Sequence, residues 1–525
     1  MLVVDKPSGL VVHGGSATLA TDLVSRLAAR LSARGASRYL GVHQRLDKDA
    51  SGVLCFTRDR ALNVPIAREL EEHTASRVYV AAVADGGLPA RGVLENGIVT
   101  DADGRSRVVL RGGKPSMTRF SVLERASGRA LVELRPMTGR THQLRVQLAH
   151  ARSPIAGDTL YGGPPAPRLL LHARALELRS LGRRFEAREP PVFARWLRGE
   201  PPALGDADEL RAKLADALAF RHPLAASADA FRLFNGEGDG LPGVAGDRLG
   251  DFAVLELSTA EAIARRAELA RMMVELGAEG VYVKVRARGD ARRADAAALA
   301  PAAPDAGRAA PAEYPVREGG LRFLVRLGDG PQTGLFLDQR DNRERVRALA
   351  GGARVLNLFA YTCSFTVAAA VGGASATTSV DTSAPALARG RANLELNRVA
   401  GGAHRLLRDD ALEYLDRARR RDERFELVIL DPPSFATRGR GTFTVARDYA
   451  RVAAGALAVL APGGRLLAVT NHRKTSRAAF RRVLHAAAER AGRRVAQMKD
   501  LASGLDCPDD AGGPAPSKSV LVTVA

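Results

Sequence analysis

The chain has 525 residues, 46% of them hydrophobic, which exceeds what one hydrophobic core organises and excludes a disordered tail protein; two to four domains are expected. Lys and Arg number 78 against 58 Asp and Glu, a formal charge of +20 that favours a polyanionic partner, although an Arg- and Ala-rich composition also follows from a GC-rich genome. The three cysteines, Cys55, Cys363 and Cys507, are far apart and form no CxxC pair, so neither a disulfide framework nor a metal site is indicated.

In chain order, Asp5 and Lys6 interrupt what would be the core of a signal peptide, and no run of about 18 apolar residues follows. A soluble cytoplasmic protein with no membrane partner is expected. To about residue 200 short alternating runs, Arg77-Val-Tyr-Val-Ala-Ala-Val, Ser106-Arg-Val-Val-Leu and Ala130-Leu-Val-Glu-Leu, are separated by Gly-rich turns and predict an α+β domain with an antiparallel sheet over 1–200. A Pro-containing stretch then leads into a linker helix within 201–225. Residues 226–318 read as a small α/β module, with a helix near Thr259 to Leu276 and a loose loop at 294–312, rich in Ala, Asp and Pro. From 319 to 525 apolar strands alternate with helix-length segments: Val355-Leu-Asn-Leu-Phe, Ala376-Thr-Thr-Ser-Val-Asp, Leu427-Val-Ile-Leu-Asp and Arg465-Leu-Leu-Ala-Val-Thr. That alternation predicts a Rossmann-like α/β domain whose parallel sheet is covered on both faces.

The most informative N-terminal stretch is His43-Gln-Arg-Leu-Asp-Lys-Asp-Ala-Ser-Gly. Asp47 sits on a polar turn flanked by Arg45 and Lys48, cations that keep a carboxylate ionised for work as nucleophile or base. Read alone, the ordinary role of such an Asp is to cap a turn. The stretch resembles the HRLDxxTSG signature of RluA-type RNA pseudouridine synthases, with Ala50 where that signature has Thr. Asp5-Lys-Pro-Ser-Gly-Leu is similar to the family's opening strand and turn. Arg135-Pro-Met-Thr-Gly-Arg-Thr-His-Gln-Leu-Arg resembles its GRTHQIR block. The resemblance implies that Asp47 acts on the uridine so that uracil detaches, rotates and rejoins through carbon, with no cofactor. It further implies that Arg140 pairs with Asp47, that Tyr79 stacks on the target uracil, and that Arg45 fills the gap left by a flipped nucleotide.

In the C-terminal part the strand containing Asn357 and Phe359 runs into Tyr361-Thr-Cys-Ser and a helix, the geometry that holds a nucleoside at the carboxyl end of a first strand. Asp381 ends the next strand, where it would accept from ribose hydroxyls; Asp410 follows, placed for an adenine amino group; then comes Asp431-Pro432-Pro433-Ser434-Phe435. Each alone reads equally as a helix cap. In this order they resemble the class I methyltransferases that bind S-adenosylmethionine, with Cys363 where Gly is common. Val281-Tyr-Val-Lys-Val-Arg, Thr333-Gly-Leu-Phe-Leu-Asp-Gln-Arg-Asp-Asn-Arg and Thr377-Thr-Ser-Val-Asp-Thr-Ser are similar to bacterial 23S ribosomal RNA large-subunit methyltransferases, in which a small α/β RNA-binding module precedes the catalytic domain.

Methylating carbon 5 of a pyrimidine needs a cysteine thiolate, which related cytosine enzymes carry in a Ser-Cys-Ser stretch where this chain has Thr470-Asn-His-Arg-Lys. The Asn471 stretch instead resembles a guanine-N7 enzyme, whose ring nitrogen is already nucleophilic and needs positioning more than activation. Asp431 and Ser434 are expected to orient the base edge and Phe435 to stack on it, although a Phe at that point is as readily a core residue. The expected protein is thus a bifunctional enzyme with ribosomal RNA, not DNA, as its partner. The alternative is an active guanine or cytosine-C5 methyltransferase whose N-terminal domain only binds RNA.

Overall fold

The computed structural model describes residues 1–13, 22–72, 74–101, 104–166, 168–200, 203–221, 224–286, 300–433, 435–438, 441–472, 475–504, 506–507 and 517–525. The chain divides into two compact units, one spanning Met1–Asp206 and the other beginning at Ala207. Among the described residues no helix is long and apolar enough to cross a membrane.

Among the described residues the first unit is a ten-stranded sheet with four α-helices. Its strands are β1 (Leu2–Lys6), β2 (Gly41–Val42), β3 (Ser51–Thr57), β4 (Ser76–Ala84), β5 (Arg91–Thr100), β6 (Ser106–Val109), β7 (Lys114–Ala126), β8 (Arg129–Pro136), β9 (Leu171–Leu178) and β10 (Arg183–Glu186). The helices are α1 (Leu23–Ala33), α2 (Asn63–Glu71), α3 (Gln143–His150) and α4 (Val192–Arg198). The main order is β1-β3-β9-β4-β8-β7-β5-β6, with β2 on β3 and β10 on β9. All pairs are antiparallel, as expected, except β3 with β9. Every residue of β3 is buried, which is why Ser51-Gly-Val-Leu-Cys-Phe-Thr lacks polar alternation. Gly52 has φ +117°, and a Cβ there would strike the Ala173 carbonyl of β9. The Ser-Gly step therefore permits the close approach of the parallel pair.

The second unit starts with α5 (Ala207–Arg221). The sequence reading made this a linker, but Arg221 is wholly buried, with its guanidinium donating to both Asp239 oxygens (2.9 and 2.7 Å) and to the Asp506 carbonyl. A desolvated guanidinium held this way docks the helix as part of the unit. The small module follows as a five-stranded sheet, β11 (Ala230–Asn235), β12 (Val244–Leu249), β13 (Phe252–Leu257), β14 (Gly280–Val285) and β15 (Ala306–Gly307), in that order. Parallel β13 and β14 are connected through α6 (Ala260–Ala264) and α7 (Arg266–Glu275), so the single helix expected there is two. The loose loop expected at 294–312 is corrected in part. Residues 294–299 lie outside the described residues, but Asp305 accepts from the Val283 amide (2.8 Å) and the next two residues form β15.

A hairpin, β16 (Tyr314–Glu318) and β17 (Leu321–Val325), precedes a seven-stranded sheet. That sheet comprises β18 (Arg354–Leu358), β19 (Ala376–Asp381), β20 (His404–Arg408), β21 (Phe425–Leu430), β24 (Leu460–Thr470), β25 (Val495–Leu501) and β26 (Lys518–Val524). Between them, β22 (Phe435–Arg438) and β23 (Gly441–Thr444) form a separate hairpin. The order β20-β19-β18-β21-β24-β26-β25 is parallel through β24 and antiparallel in its last two strands, so the sheet is mixed rather than wholly parallel. One hydrophobic core joins Leu249, Phe252 and Tyr282 of the small module to Phe323 of the hairpin and Val355, Leu427 and Val469 of the large sheet.

The turn after β18 is strained at three alternate residues: Phe359, Tyr361 and Cys363 have φ of 60°, 48° and 60°. These are left-handed values that favour glycine, which explains why Gly is common at the place Cys363 occupies and makes the Cys a strained substitute there. Room for its side chain comes from Gly390, in the middle of the helix Ala384–Leu396. A Cβ at Gly390 would lie 2.9 Å from Cys363 Cβ and closer still to its sulfur. A mid-helix Gly costs about 1 kcal/mol relative to Ala, so this one is explained by the contact rather than by helix preference. Gly390→Ala is expected to destabilise the second unit by about 1–3 kcal/mol through overpacking. In a Cys363→Gly background the same change should be neutral or stabilising. Urea denaturation of the two single variants and the double variant measures the coupling; additive effects would contradict the packing argument.

Candidate active sites

In the first unit Asp47 lies on the loop between β2 and β3, where its carbonyl closes a turn with the Ala50 amide. Two groups of the opening segment hold this loop. Lys6, wholly buried, donates to the carbonyls of Pro7 (2.9 Å), Leu10 (2.8 Å) and Lys48 (2.9 Å), and Ser8 Oγ donates to the Asp49 carbonyl. Burial pushes the Lys6 ammonium down to about 7, against the raising influence of Asp49 and Asp47. Ala50 is buried in an apolar cluster with Ala81 and Leu144, so the methyl side chain suits its seat.

The Asp47 carboxylate accepts from Nη1 of Arg145 at 3.3 Å. Arg145, on α3, also donates from Nε and Nη2 to the two oxygens of buried Asp158, both at 2.8 Å. Burial alone would lower the Arg145 guanidinium, but Asp158 and Asp47 outweigh it and raise it above its ordinary value. This corrects the expected pairing. Arg140 lies in the loop before α3 and turns its Nε onto the Pro115 carbonyl at 3.2 Å, whereas Arg145, five residues on, is carried by the helix to Asp47.

Tyr79 on β4 is half-buried; burial raises its phenol, Arg77 opposes the rise, and the Asp47 charge adds to it. Arg45 is exposed on the Asp47 loop. His142 was not singled out from sequence. It has φ 53° at the start of α3 and shares a hydrogen bond from Nδ1 to the Tyr161 hydroxyl at 2.9 Å. Lys6, Arg145 and Asp158 were likewise missed as site residues, although Lys6 and Arg145 lie inside the stretches that carried the resemblance.

In the second unit Asp381 ends β19 and accepts from the amides of Tyr361 and Ser383, both at 2.8 Å, fixing the strained turn beside the strand end. Asp410 caps the helix Ala411–Arg420, its Oδ1 accepting from Leu412 (2.9 Å) and Glu413 (3.2 Å). Asn357 is corrected: its side chain is buried and donates to Thr366 Oγ1 at 2.9 Å on the helix Ser364–Val371, which in turn bonds Ser379, so the amide is engaged between the sheet and that helix. Phe359 packs on the core. Tyr361 is half-buried and meets Phe336, a large exposed side chain, with ring centroids 5.4 Å apart. The Phe336 carbonyl accepts from Arg343 at 2.9 Å, and buried Arg343 is gripped by both oxygens of buried Glu318 at 2.6 Å each.

Asp431 follows β21. Burial pushes its carboxyl up to about 7, Asp338 adds to the rise and Arg343 opposes it. Pro432 is buried and Pro433 exposed. Ser434 lies outside the described residues, as does the side chain of Phe435 at the start of β22. Asn471 is exposed just beyond β24, and the neighbouring His472 bonds Thr475 Oγ1 at 2.8 Å. Asp381, Asp410 and Asp431 thus stand just at or beyond the carboxyl ends of three strands of one sheet. Three carboxyls along one sheet edge, one of them desolvated, are acceptors whose chemistry fits the hydroxyl and amine donors and the cationic centre of S-adenosylmethionine.

Comparison with known proteins agrees with both halves. A family model described as RNA pseudouridylate synthase matches residues 1–150, and one described as S-adenosylmethionine-dependent methyltransferase matches 309–478. A ribosomal RNA large subunit methyltransferase from Deinococcus radiodurans is 36% identical over 316 residues, 59% of this chain and 77% of that protein. Ribosomal RNA large subunit methyltransferase I from Escherichia coli is 36% identical over 280 residues, covering 53% and 70%. A crystal structure of a methyltransferase complexed with SAH superposes with a TM-score of 0.55 at 30% identity, over 62% of this chain and 83% of the other. The chain belongs to the ribosomal RNA large-subunit methyltransferase family, and ahead of that part it carries an RNA pseudouridine synthase domain.

Proposed function

We propose that both sites are active on ribosomal RNA, the first isomerising uridine to pseudouridine and the second methylating guanine at N7. The state of the cysteines carries the choice of base. Pyrimidine-C5 methylation needs a thiolate. Cys363 is buried in the turn after β18 with its thiol pushed up to about 12, and burial also raises the thiol of Cys507. Cys55 belongs to the first unit and is pushed up to about 11. A ring nitrogen needs no such thiolate. Asp431 and Asn471 are the groups assigned to the base edge, and Phe336, exposed against Tyr361, offers a face on which a base stacks. Asp381 and Asp410 are assigned to the ribose and adenine of S-adenosylmethionine, which supplies the methyl group.

In the first unit Asp47 is the group assigned to the uridine, with Arg145 as its hydrogen-bonded charge partner, Tyr79 stacking on the uracil and Arg45 occupying the space of the flipped nucleotide. Arg145→Met is expected to lower pseudouridine formation about 100-fold or more, because it strips the charge partner from Asp47 and leaves buried Asp158 with only the amides of Leu160 and Tyr161. Arg140→Met should cost less than about tenfold. Nucleoside analysis of treated RNA compares the two; the reverse ranking would restore Arg140 as the partner.

A second expectation concerns pH. With a carboxyl near 7, Asp431 passes from neutral to ionised as pH rises through 7, and the ionised form attracts the sulfonium cation. Affinity for S-adenosylmethionine should therefore rise about fivefold from pH 6 to 7 and level off above. Asp431→Asn should remove that rise. Titration calorimetry reads both, and a wild-type affinity independent of pH would exclude Asp431 as the neighbour of the charged sulfur.

A further inference from the structure

A cavity of about 430 Å³ opens in the first unit between β6 and α3, apart from Asp47 itself. Val108, Val146 and Ala149 give it an apolar side, and Arg105, Arg107 and His150 a polar, basic side. Arg105 and Arg107 are exposed, and the Asp101 carboxylate, also at the wall, faces Arg107 at 3.7 Å, so the lining stays net positive. Its size lies in the range of small-ligand sites, and an apolar wall beside guanidinium groups matches a nucleobase joined to a phosphate.

Tyr161 forms a further wall and connects the cavity to the catalytic loop. Its hydroxyl accepts from the Ser106 amide at 2.9 Å. It also shares a hydrogen bond with Nδ1 of His142 at 2.9 Å, which ties the ring to the start of α3. The guanidinium of Arg145 lies over the Tyr161 ring, 5.2 Å from its centroid, and the same guanidinium bonds Asp47. Two side-chain contacts thus separate the cavity from Asp47. A uridine flipped toward Asp47 unstacks its neighbour in the strand, and an unstacked base seeks an apolar or aromatic face.

We propose that this cavity is a subsite for a second, unstacked nucleotide of the RNA, with its base against Tyr161 and Val146 and its phosphate on Arg105 and Arg107. The inference rests on the first unit acting on RNA. Occupancy presses on the Tyr161 ring beneath Arg145, so the subsite also positions the group that holds Asp47.

Two readouts on the full-length chain test it. Cytidine 5′-monophosphate is the probe, observed by saturation-transfer NMR, and Ala149→Trp fills the cavity from α3. The probe should bind the wild type and lose its signal in Ala149→Trp. For pseudouridine formation in ribosomal RNA, KM should rise about tenfold, the worth of one stacked base, with kcat within about twofold. Arg105→Gln with Arg107→Gln alters only exposed side chains; it should raise KM and make the loss of activity with salt shallower than in the wild type, even if Ala149→Trp fails to fold. An unchanged KM in the double variant, or an unchanged probe signal in a folded Ala149→Trp protein, overturns the subsite. If the wild type makes no pseudouridine, the synthase reading fails, while the probe titration still decides the cavity.

Discussion

Desolvated guanidinium groups, each gripped by both oxygens of one carboxylate, fix the geometry of this chain. Arg145 on Asp158, Arg343 on Glu318 and Arg221 on Asp239 repeat the device. A buried ion pair contributes little net stability against an apolar alternative, yet losing one partner costs about 3–5 kcal/mol. Its value is directional: the fork fixes two contacts and leaves a further N–H to spare. Arg145 aims that N–H at Asp47, Arg343 at the Phe336 carbonyl, and Arg221 at the Asp506 carbonyl. The same element thus aims a carboxylate in one unit, and in the other steadies an aromatic side chain and docks a helix.

The second unit adds strain to this rigidity. Three left-handed residues bring the turn after β18 against Asp381, whose carboxylate takes the Tyr361 amide. Gly390 leaves room for the cysteine side chain in this turn, at the expense of helix preference. A sequence departure at Cys363 and a helical glycine 27 residues later are therefore one feature.

Much of this was legible in the sequence because pattern and physics coincide. The apolar runs at Val355, Ala376, Leu427 and Arg465 became neighbouring strands, and their acidic ends at Asp381 and Asp431 stand along one edge of the sheet. The antiparallel final pair escaped because strand direction leaves no mark on an apolar run. α5 passed for a linker because its polar surface conceals one buried arginine, whose partners are 18 and 285 residues away. Arg140 is expected from the motif and Arg145, in the same basic stretch, is not, because only the start of α3 decides which of them points at Asp47. Asn357 was read as facing a ligand because strand alternation alone does not reveal the buried hydroxyls of Thr366 and Ser379.

The central claim is that two chemistries act on one RNA from two separate sites. Nucleoside mass spectrometry of unmodified ribosomal RNA, incubated with the full chain and S-adenosylmethionine, tests it most directly, beside Asp47→Ala and Asp431→Ala variants. The account predicts pseudouridine and 7-methylguanosine from the wild type, with each variant losing only its own product. Methylation without any pseudouridine would contradict it and make the first unit an RNA-binding module; 5-methylcytidine in place of 7-methylguanosine would overturn the choice of base.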